Sequence, residues 1–232
     1  MWVLGVIFVS LGVAVCSKSN LGVSMIAAPQ FVIYDALAPL WDRFSVGMVG
    51  YLFQGALLIL MCALLRRFDP RYLLSFGVAV VYGYMLNLFL FLLGGFSAEG
   101  IAARWITLVV GDIFTALGVA FFFRTYLPLQ VFELFVAETA AKFKLNVNKT
   151  KMVFDLTLLV FSIALALALF AGDGGLDIKT LATSDFHSIG LGTLVTTLIN
   201  SPLIALTGRL IDKIFDPTPH FPKLKSWIGR DR

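Results

Sequence analysis

The sequence predicts an all-α fold: a polytopic membrane bundle of six transmembrane helices, built as two inverted three-helix repeats. Each repeat is expected to hold a broken or re-entrant half-helix. Three observations support this fold. Of the 232 residues, 59% are hydrophobic and only 14% are charged, against roughly 25% charged residues in soluble domains. Six apolar segments approach the roughly 20 residues of a spanning helix. Finally, the run LGVAVCSKSNL, Leu11 to Leu21, recurs as LGVAFFFRTYL, Leu117 to Leu127.

The six predicted spans follow one another along the chain. Their approximate ranges are 2–16, 46–65, 72–93, 105–123, 152–171 and 189–211, and Pro202 is expected to bend the last. The first has no basic n-region or cleavage site, so it is interpreted as a membrane helix and not a signal peptide. Two further apolar stretches, 23–40 and 128–143, are interrupted by polar residues and are predicted to be half-helices, re-entrant or interfacial.

The internal repeat extends beyond the two matching runs. The shift that moves Leu11 onto Leu117 also moves Gly5 onto Gly111 and Lys18 onto Arg124. With gaps, later segments align so that Gln54 falls on Asp155 and Asn87 on Asn200. We therefore predict one transmembrane domain in three parts: repeat one at 1–95, repeat two at 102–214 and a cytoplasmic tail at 215–232. Because three spans are an odd number, the second repeat enters the membrane from the opposite side, as in many secondary transporters.

Loop charges predict the orientation of the chain. Basic residues concentrate after the second span, before the fifth span and in the C-terminal tail, whereas the loop before the sixth span carries Asp173, Asp177 and Asp185. Cytoplasmic loops are enriched in lysine and arginine. Both termini are therefore expected in the cytoplasm, with the break at Lys18 on the outer side and the break at Arg124 on the inner side.

The two breaks are the first candidate binding positions. Ser19 or Asn20, after Lys18, and Thr125, after Arg124, are good N-cap residues for the half-helices. Pro128 suits a first helical turn. A helix N-terminus beside a cation can hold an anionic group. The alternative is a pair of interfacial cations that snorkel beside ordinary caps.

Polar residues inside the spans form the second group of candidates. Lys151 and Asp155 share a helix face at spacing four and are expected to couple to an ion or to form a structural ion pair. Asp112 is a candidate for proton coupling if it lies deep, because charges within spans are costly and often functional; the alternatives are a pairing across helices and a position close to the outer interface. Gln54, Asn87 and Asn200 are candidates for solute hydrogen bonds, with contacts between helices as the alternative.

Two acidic residues fall on the second predicted half-helix. The spacing of five between Glu133 and Glu138 turns them to different faces, so one is expected to face a cavity and the other the cytoplasm. They are therefore not expected to act as one paired-carboxylate site.

Motifs of the common enzyme classes are missing from the sequence. It contains no Walker-type loop, HExxH, GxSxG or CxxC. We therefore expect no enzymatic activity, no cofactor and no metal site. The expected partners are a small-molecule solute and membrane lipid, with a homo-oligomer as an alternative to a monomer. The net charge of +4 is explained by the loops, so no nucleic acid is expected.

The first break resembles a known family. The segment GVAVCSKSNLGVS, Gly12 to Ser24, is similar to the start of the YczE/YyaS/YitT family of bacterial membrane proteins, as are Lys151 to Asp155 and the pair Gly192-Thr193. The chain departs from the family pattern at Met25, where proline usually follows the serine. The resemblance implies a small, multi-pass protein of the bacterial inner membrane, a transporter or exporter, and names no substrate.

The predicted function is that of a small secondary transporter that works by alternating access. Its solute would be small, with an anion favoured by Lys18 and Arg124, and proton coupling would involve Asp155 or Asp112. The alternative is a non-transporting membrane subunit, either the substrate-binding or an accessory component of a larger complex.

Overall fold

A computed structural model of the protein describes residues 1–41, 43–125, 127–170 and 186–214. Within these ranges the fold is helical, apart from one isolated bridge between Phe186 and Ile189. The predicted acidic loop, 171–185, and the predicted tail, 215–232, lie outside the described residues. The helices are α1 (Trp2–Ser17), α2 (Ala28–Leu37), α3 (Val46–Leu65), α4 (Tyr72–Leu92), α5 (Ile101–Phe123), α6 (Val131–Phe143), α7 (Val147–Leu169) and α8 (Leu191–Ile214).

Five helices are long and apolar enough to cross a membrane, namely α3, α4, α5, α7 and α8. Helix α1 is also apolar but has 16 residues. It is therefore about 24 Å long, against about 30 Å for the hydrocarbon core of a bilayer. Large apolar side chains such as Ile59 and Phe91 are exposed on the outside of the bundle, which suits contact with lipid. The chain is a multi-pass helical membrane protein, as predicted.

Helices α1 and α5 form the centre of the bundle and touch through glycine. A methyl group added to Gly12 would lie 2.6 Å from the carbonyl oxygen of Gly111, and one added to Gly111 would lie 2.8 Å from that of Gly12. Two turns away, Gly118 meets Gly5 in the same manner. Early residues of one helix thus meet late residues of the other, so the helices run antiparallel. Small residues at such contacts let membrane helices approach closely.

The other helices pack against this pair or against one another. Helix α3 packs on α4 and α7 packs on α8, while α4 contacts α1 and α8 contacts α5. The two short helices, α2 and α6, each contact both α3 and α7. Their first turns are buried: Pro29 and Gln30 in α2, and Phe132 and Glu133 in α6. Both short helices therefore begin in the interior of the bundle.

The predicted starts of the half-helices were wrong. Helix α2 begins at Ala28 with Ala27 as its N-cap, and α6 begins at Val131 with Gln130 as its N-cap, so Pro128 precedes the helix. Neither Ser19, Asn20 nor Thr125 is a cap.

The reason lies in local hydrogen bonds. The hydroxyl oxygen of Ser19 accepts from the N–H of Leu21 at 3.2 Å, and that of Thr125 accepts from the N–H of Leu127 at 3.3 Å. Asn20 adopts a left-handed backbone with φ +52°. Such side-chain bonds to nearby backbone close turns and compete with the start of a helix.

Candidate functional site

Seven polar side chains lie in the interior of the bundle, and we call them the midspan cluster. Each is at most 4% exposed. In α3, α4 and α5 the contributing residue falls near the middle of the helix. The members are Gln30 of α2, Gln54 of α3, Tyr82 of α4, Asp112 of α5, Glu133 of α6, and Lys151 and Asp155 of α7.

The charged pair of α7 is at the centre of the cluster. Lys151 Nζ lies 2.5 Å from Asp155 Oδ1, one helical turn away, and both side chains are buried. The second carboxylate oxygen of Asp155 has no hydrogen-bond partner within the described residues. A buried ion pair costs desolvation energy that is recovered only when its remaining polar atoms are also satisfied. This pair is therefore incomplete.

Glu133 is the third residue of α6 and faces the same pair. Its carboxylate is attracted by the Lys151 ammonium and repelled by the Asp155 carboxylate. The Tyr82 hydroxyl lies within reach of the Glu133 charge, and Gln30 Nε2 donates a hydrogen bond to that hydroxyl at 3.2 Å. Polar groups of α2, α4, α6 and α7 therefore influence one another in the interior of the bundle.

Asp112 extends this line to the central helices. Its carboxylate is close enough to be repelled by that of Asp155. The Cys16 thiol of α1 lies close to Asp112 and donates to the carbonyl of Leu108 at 3.6 Å. Asp112 thus sits between the α7 pair and the α1–α5 contact.

The midspan cluster holds an unusual number of unsatisfied oxygen atoms. Within the part of the chain that the structure describes, one side-chain oxygen of each of five members has no hydrogen-bond partner. Leaving such an atom buried and unpaired costs about 1–3 kcal/mol, and native proteins contain few of them. These oxygen atoms can accept hydrogen bonds from water or from a bound solute. The atoms are Gln30 Oε1, Gln54 Oε1, Asp112 Oδ1, Glu133 Oε2 and Asp155 Oδ2.

The two cations of the repeat do not belong to this cluster, nor do they meet each other. Because Gly12 faces Gly111, Lys18 lies level with about residue 105 of α5. Arg124 ends the same helix, so the two cations are about 28 Å apart along it at 1.5 Å per residue. They mark opposite ends of the central pair of helices.

The surroundings of the two cations also differ. The Arg124 guanidinium forms a bidentate ion pair with Asp212 of α8. Its Nε lies 2.5 Å from Asp212 Oδ1, and its Nη2 lies 2.7 Å from Asp212 Oδ2. The Lys18 ammonium has no ion pair among the described residues. Its backbone carbonyl accepts from the N–H of Ala98 at 3.4 Å. Arg124 is thus already neutralised, whereas Lys18 is not.

The two asparagines have different surroundings. Asn87 Oδ1 accepts from the N–H of Gly47 and its Nδ2 donates to Ser45 Oγ, both at 2.9 Å. It therefore ties α4 to the start of α3, which is the structural alternative considered for it. Asn200 of α8 is fully buried, its Nδ2 lies 4.0 Å from Met25 Sδ, and its Oδ1 has no partner in the described residues. It remains a candidate for binding.

Two members of the cluster, Gln30 and Tyr82, were not singled out from the sequence. Gln30 and Glu133 each occupy the third position of a short helix, a shared signal that becomes visible once the helix starts are known. Glu133 is buried, whereas Glu138 is only partly buried and accepts from the Tyr72 hydroxyl at 3.1 Å. The two glutamates therefore differ in burial, whereas the expectation that one faces a cavity and the other the cytoplasm stays a prediction. Tyr82 gave no signal, since it is one aromatic residue within an apolar span.

Within the described ranges, no group of three His, Cys, Asp or Glu residues is placed to hold a metal ion.

Comparison with known proteins assigns the chain to a family. No curated protein and no solved structure matches the chain. The model of DUF6198, a family of unknown function, matches residues 1–209. The resemblance to the YczE/YyaS/YitT family stays a prediction. Because the match covers most of the length of this chain, the chain belongs to the DUF6198 family.

Proposed function

We propose that the protein is a small secondary transporter that moves a small polar solute across a bacterial inner membrane by alternating access. The midspan cluster carries this proposal. Buried charges inside membrane helices are costly and commonly mark a solute or ion pathway. Here four ionisable side chains other than tyrosine share one interior region with five unsatisfied oxygen atoms. The resemblance stated above agrees with this proposal.

The proposed architecture is an inverted repeat of three spans, with α1 as the sixth span. Its support is a set of contacts that remain the same when the two halves are exchanged. Gly5 contacts Gly118, and Gly111 contacts Gly12. The repeat makes Gly5 equivalent to Gly111 and Gly118 equivalent to Gly12, so the two contacts are equivalent. Phe8 stacks on its own equivalent, Phe114, with ring centroids 5.8 Å apart. A residue and its equivalent touch only near a two-fold axis, so the axis would pass between α1 and α5.

The surrounding helices follow the same exchange. The contact of α2 with α7 corresponds to that of α6 with α3, and the contact of α1 with α4 corresponds to that of α5 with α8. The turns closed by Ser19 and Thr125 are also equivalent. In this architecture α2 and α6 are re-entrant half-helices whose starts meet the solute, as in transporters with discontinuous helices.

The proposed orientation has both termini in the cytoplasm. Two basic segments lie together in space, because Lys142 near the end of α6 donates from Nζ to the carbonyls of Leu64 and Leu65 at the end of α3. The loop that follows α3 carries Arg66 and Arg67. Basic residues gathered at one end agree with a cytoplasmic location for that end.

Accessibility of the cluster from both sides of the membrane tests the proposal. Gln54→Cys would be made in a protein whose native Cys16 and Cys62 are alanine, and membrane vesicles of both orientations would be treated with an impermeant thiol reagent. A transporter predicts labelling from each side, since the site opens alternately. Leu60→Cys, on the lipid-facing side of α3 at 58% exposure, is the control and should stay unlabelled. Labelling of Gln54→Cys from one side only, or from neither, would favour a non-transporting subunit.

A further inference from the structure

We propose that the midspan cluster binds a small cation with N–H donors, such as a protonated primary amine. This inference names the solute class of the proposed transporter. Movement of the cation across the membrane rests on the proposed function, whereas binding of the cation does not. It also replaces the anion expected from Lys18 and Arg124, which lie at opposite ends of α5 and outside the cluster.

The charges of the cluster favour a cation. Asp112, Glu133 and Asp155 provide three carboxylates, whereas Lys151 provides one ammonium group, and all four are at least nine-tenths buried. When all are ionised, two negative charges remain uncompensated in a low-dielectric interior, which is costly. A bound cation offsets one of them, and an anion would add to the repulsion.

Most of the unsatisfied side-chain atoms of the cluster are acceptors that require donors, and the exception is the amide nitrogen of Gln54, which is itself a donor. Carboxylate oxygens and amide oxygens accept hydrogen bonds and cannot donate them, and five such oxygens lack partners within the described residues. An ammonium group carries three N–H donors. A quaternary ammonium ion has the same charge but no N–H, so it would leave these oxygens unsatisfied.

The amide of Gln30 is directed at the same place as the acidic residues. Its Nε2 donates to the Tyr82 hydroxyl, which lies near Glu133. Its unpartnered Oε1 lies over Gly50 of α3, one turn from Gln54. The Gln30 amide thus lies between Tyr82, which senses the Glu133 charge, and the turn of α3 that leads to Gln54.

Protons should compete with the cation for this site. Glu133 is faced by Lys151 and Asp155 from α7 and by Tyr82 from α4, and Asp112 is faced by Asp155 and Cys16. A protonated carboxyl carries no negative charge to attract the cation. Loss of a proton therefore favours binding, and the apparent affinity for the cation should rise as the pH rises.

Thermal unfolding of the full chain in detergent measures this binding. Methylammonium chloride should raise the unfolding temperature in a saturable manner, because a ligand bound only by the folded state stabilises it. Tetramethylammonium chloride controls for the positive charge of the ligand, and sodium acetate tests a ligand of negative charge. An equal or larger saturable shift with either control, or no shift with methylammonium, would overturn the proposal.

Two glutamates of the same helix provide a matched pair of variants. Glu133→Gln should weaken methylammonium binding about 10- to 100-fold, since it removes a charge-assisted hydrogen bond. Glu138→Gln, on the other face of α6, should bind like the wild type. If Glu133→Gln does not fold, Asp112→Asn provides the same test in α5. Wild-type affinity in the folded variant would contradict the assignment.

Flux measurements separate this inference from the proposed function. In proteoliposomes, binding of methylammonium without its movement would refute transport and leave the cation site standing. Movement of acetate without methylammonium binding would refute the cation site and leave transport standing.

Discussion

The Lys151–Asp155 pair shows how one turn of helix can hold two opposite charges inside a membrane. The spacing of four brings the ammonium within 2.5 Å of the carboxylate, so each group offsets much of the other's desolvation. Neither charge would be tolerated alone at this depth without a similar partner. The pair therefore behaves as a unit, and mutation of one member acts on the other.

We expect Asp155→Asn alone to destabilise the protein by about 3–5 kcal/mol, because the Lys151 charge would remain buried without its partner. The double variant Lys151→Met with Asp155→Leu should recover much of that loss. Thermal unfolding in detergent measures both effects. Lys149→Met, an exposed position in the same helix, is the control and should change little. A double variant as unstable as the single one would show that the pair does not act as a unit.

At the scale of helices, glycines bring the backbones of α1 and α5 into close contact. A methyl group on Gly111 would meet the backbone of Cys16 at 2.8 Å as well as that of Gly12. Backbone atoms cannot rotate away as a side chain can, so the helices would have to move apart. Gly77 of α4 differs, since a methyl group there has nothing within 4 Å.

Gly111→Ala is therefore expected to destabilise the protein by about 1–3 kcal/mol through overpacking. Gly77→Ala should be neutral or slightly stabilising, because alanine favours helix. The unfolding temperatures of the two purified variants provide the comparison. Equal temperatures for both would be inconsistent with the close contact of α1 and α5.

A second prediction at this scale concerns the ion pair of Arg124 with Asp212, which joins the end of α5 to α8. Asp212 is exposed to solvent, so the pair should contribute little to stability. In an alternating-access protein it would instead hold one end closed. Arg124→Ala should increase labelling of Gln54→Cys from the cytoplasmic side.

Exchange of the two charges, Arg124→Asp with Asp212→Arg, is the control for this prediction and should return labelling towards the level of the Gln54→Cys protein. Cytoplasmic labelling that does not change in Arg124→Ala would assign the pair a purely local role.

The orientation of the whole molecule makes a further prediction. Arg71, in the loop between α3 and α4, and Glu99, in the loop between α4 and α5, are both exposed. With both termini in the cytoplasm, these loops lie on opposite sides of the membrane. In the protein without native cysteines, Arg71→Cys should react with an impermeant reagent only from the cytoplasmic side, and Glu99→Cys only from outside. The reverse pattern would invert the proposed orientation.

The sequence predicted the spans well because lipid imposes a simple rule on them. A helix such as α3 must be apolar over about 20 residues, and its predicted and observed ends coincide at Val46 and Leu65. The starts of α2 and α6 follow a subtler rule. They depend on whether the hydroxyls of Ser19 and Thr125 cap a helix or close a turn. In both cases the hydroxyl oxygen accepts a hydrogen bond from a nearby backbone N–H.

The candidate site was predictable only in part, for a related reason. Lys151 and Asp155 are one turn apart in the sequence, so their spacing already indicates contact. Gln30 and Tyr82 are joined by a bond across 52 positions, which no local pattern contains. The cations at the two breaks were prominent in the sequence because they recur. The structure separates them, since recurrence indicates equivalent positions and not proximity.

The glycine contact between α1 and α5 has a consequence for how the protein is made. Gly5 finds its partner, Gly118, only after more than a hundred further residues have been added. At about 5–20 residues per second, synthesis of that stretch takes roughly 5–20 s. In the proposed six-span architecture, α1 would remain in the bilayer during this interval without its main neighbour. The close contact of α1 with α5 therefore forms late in synthesis, after four further helices have been made.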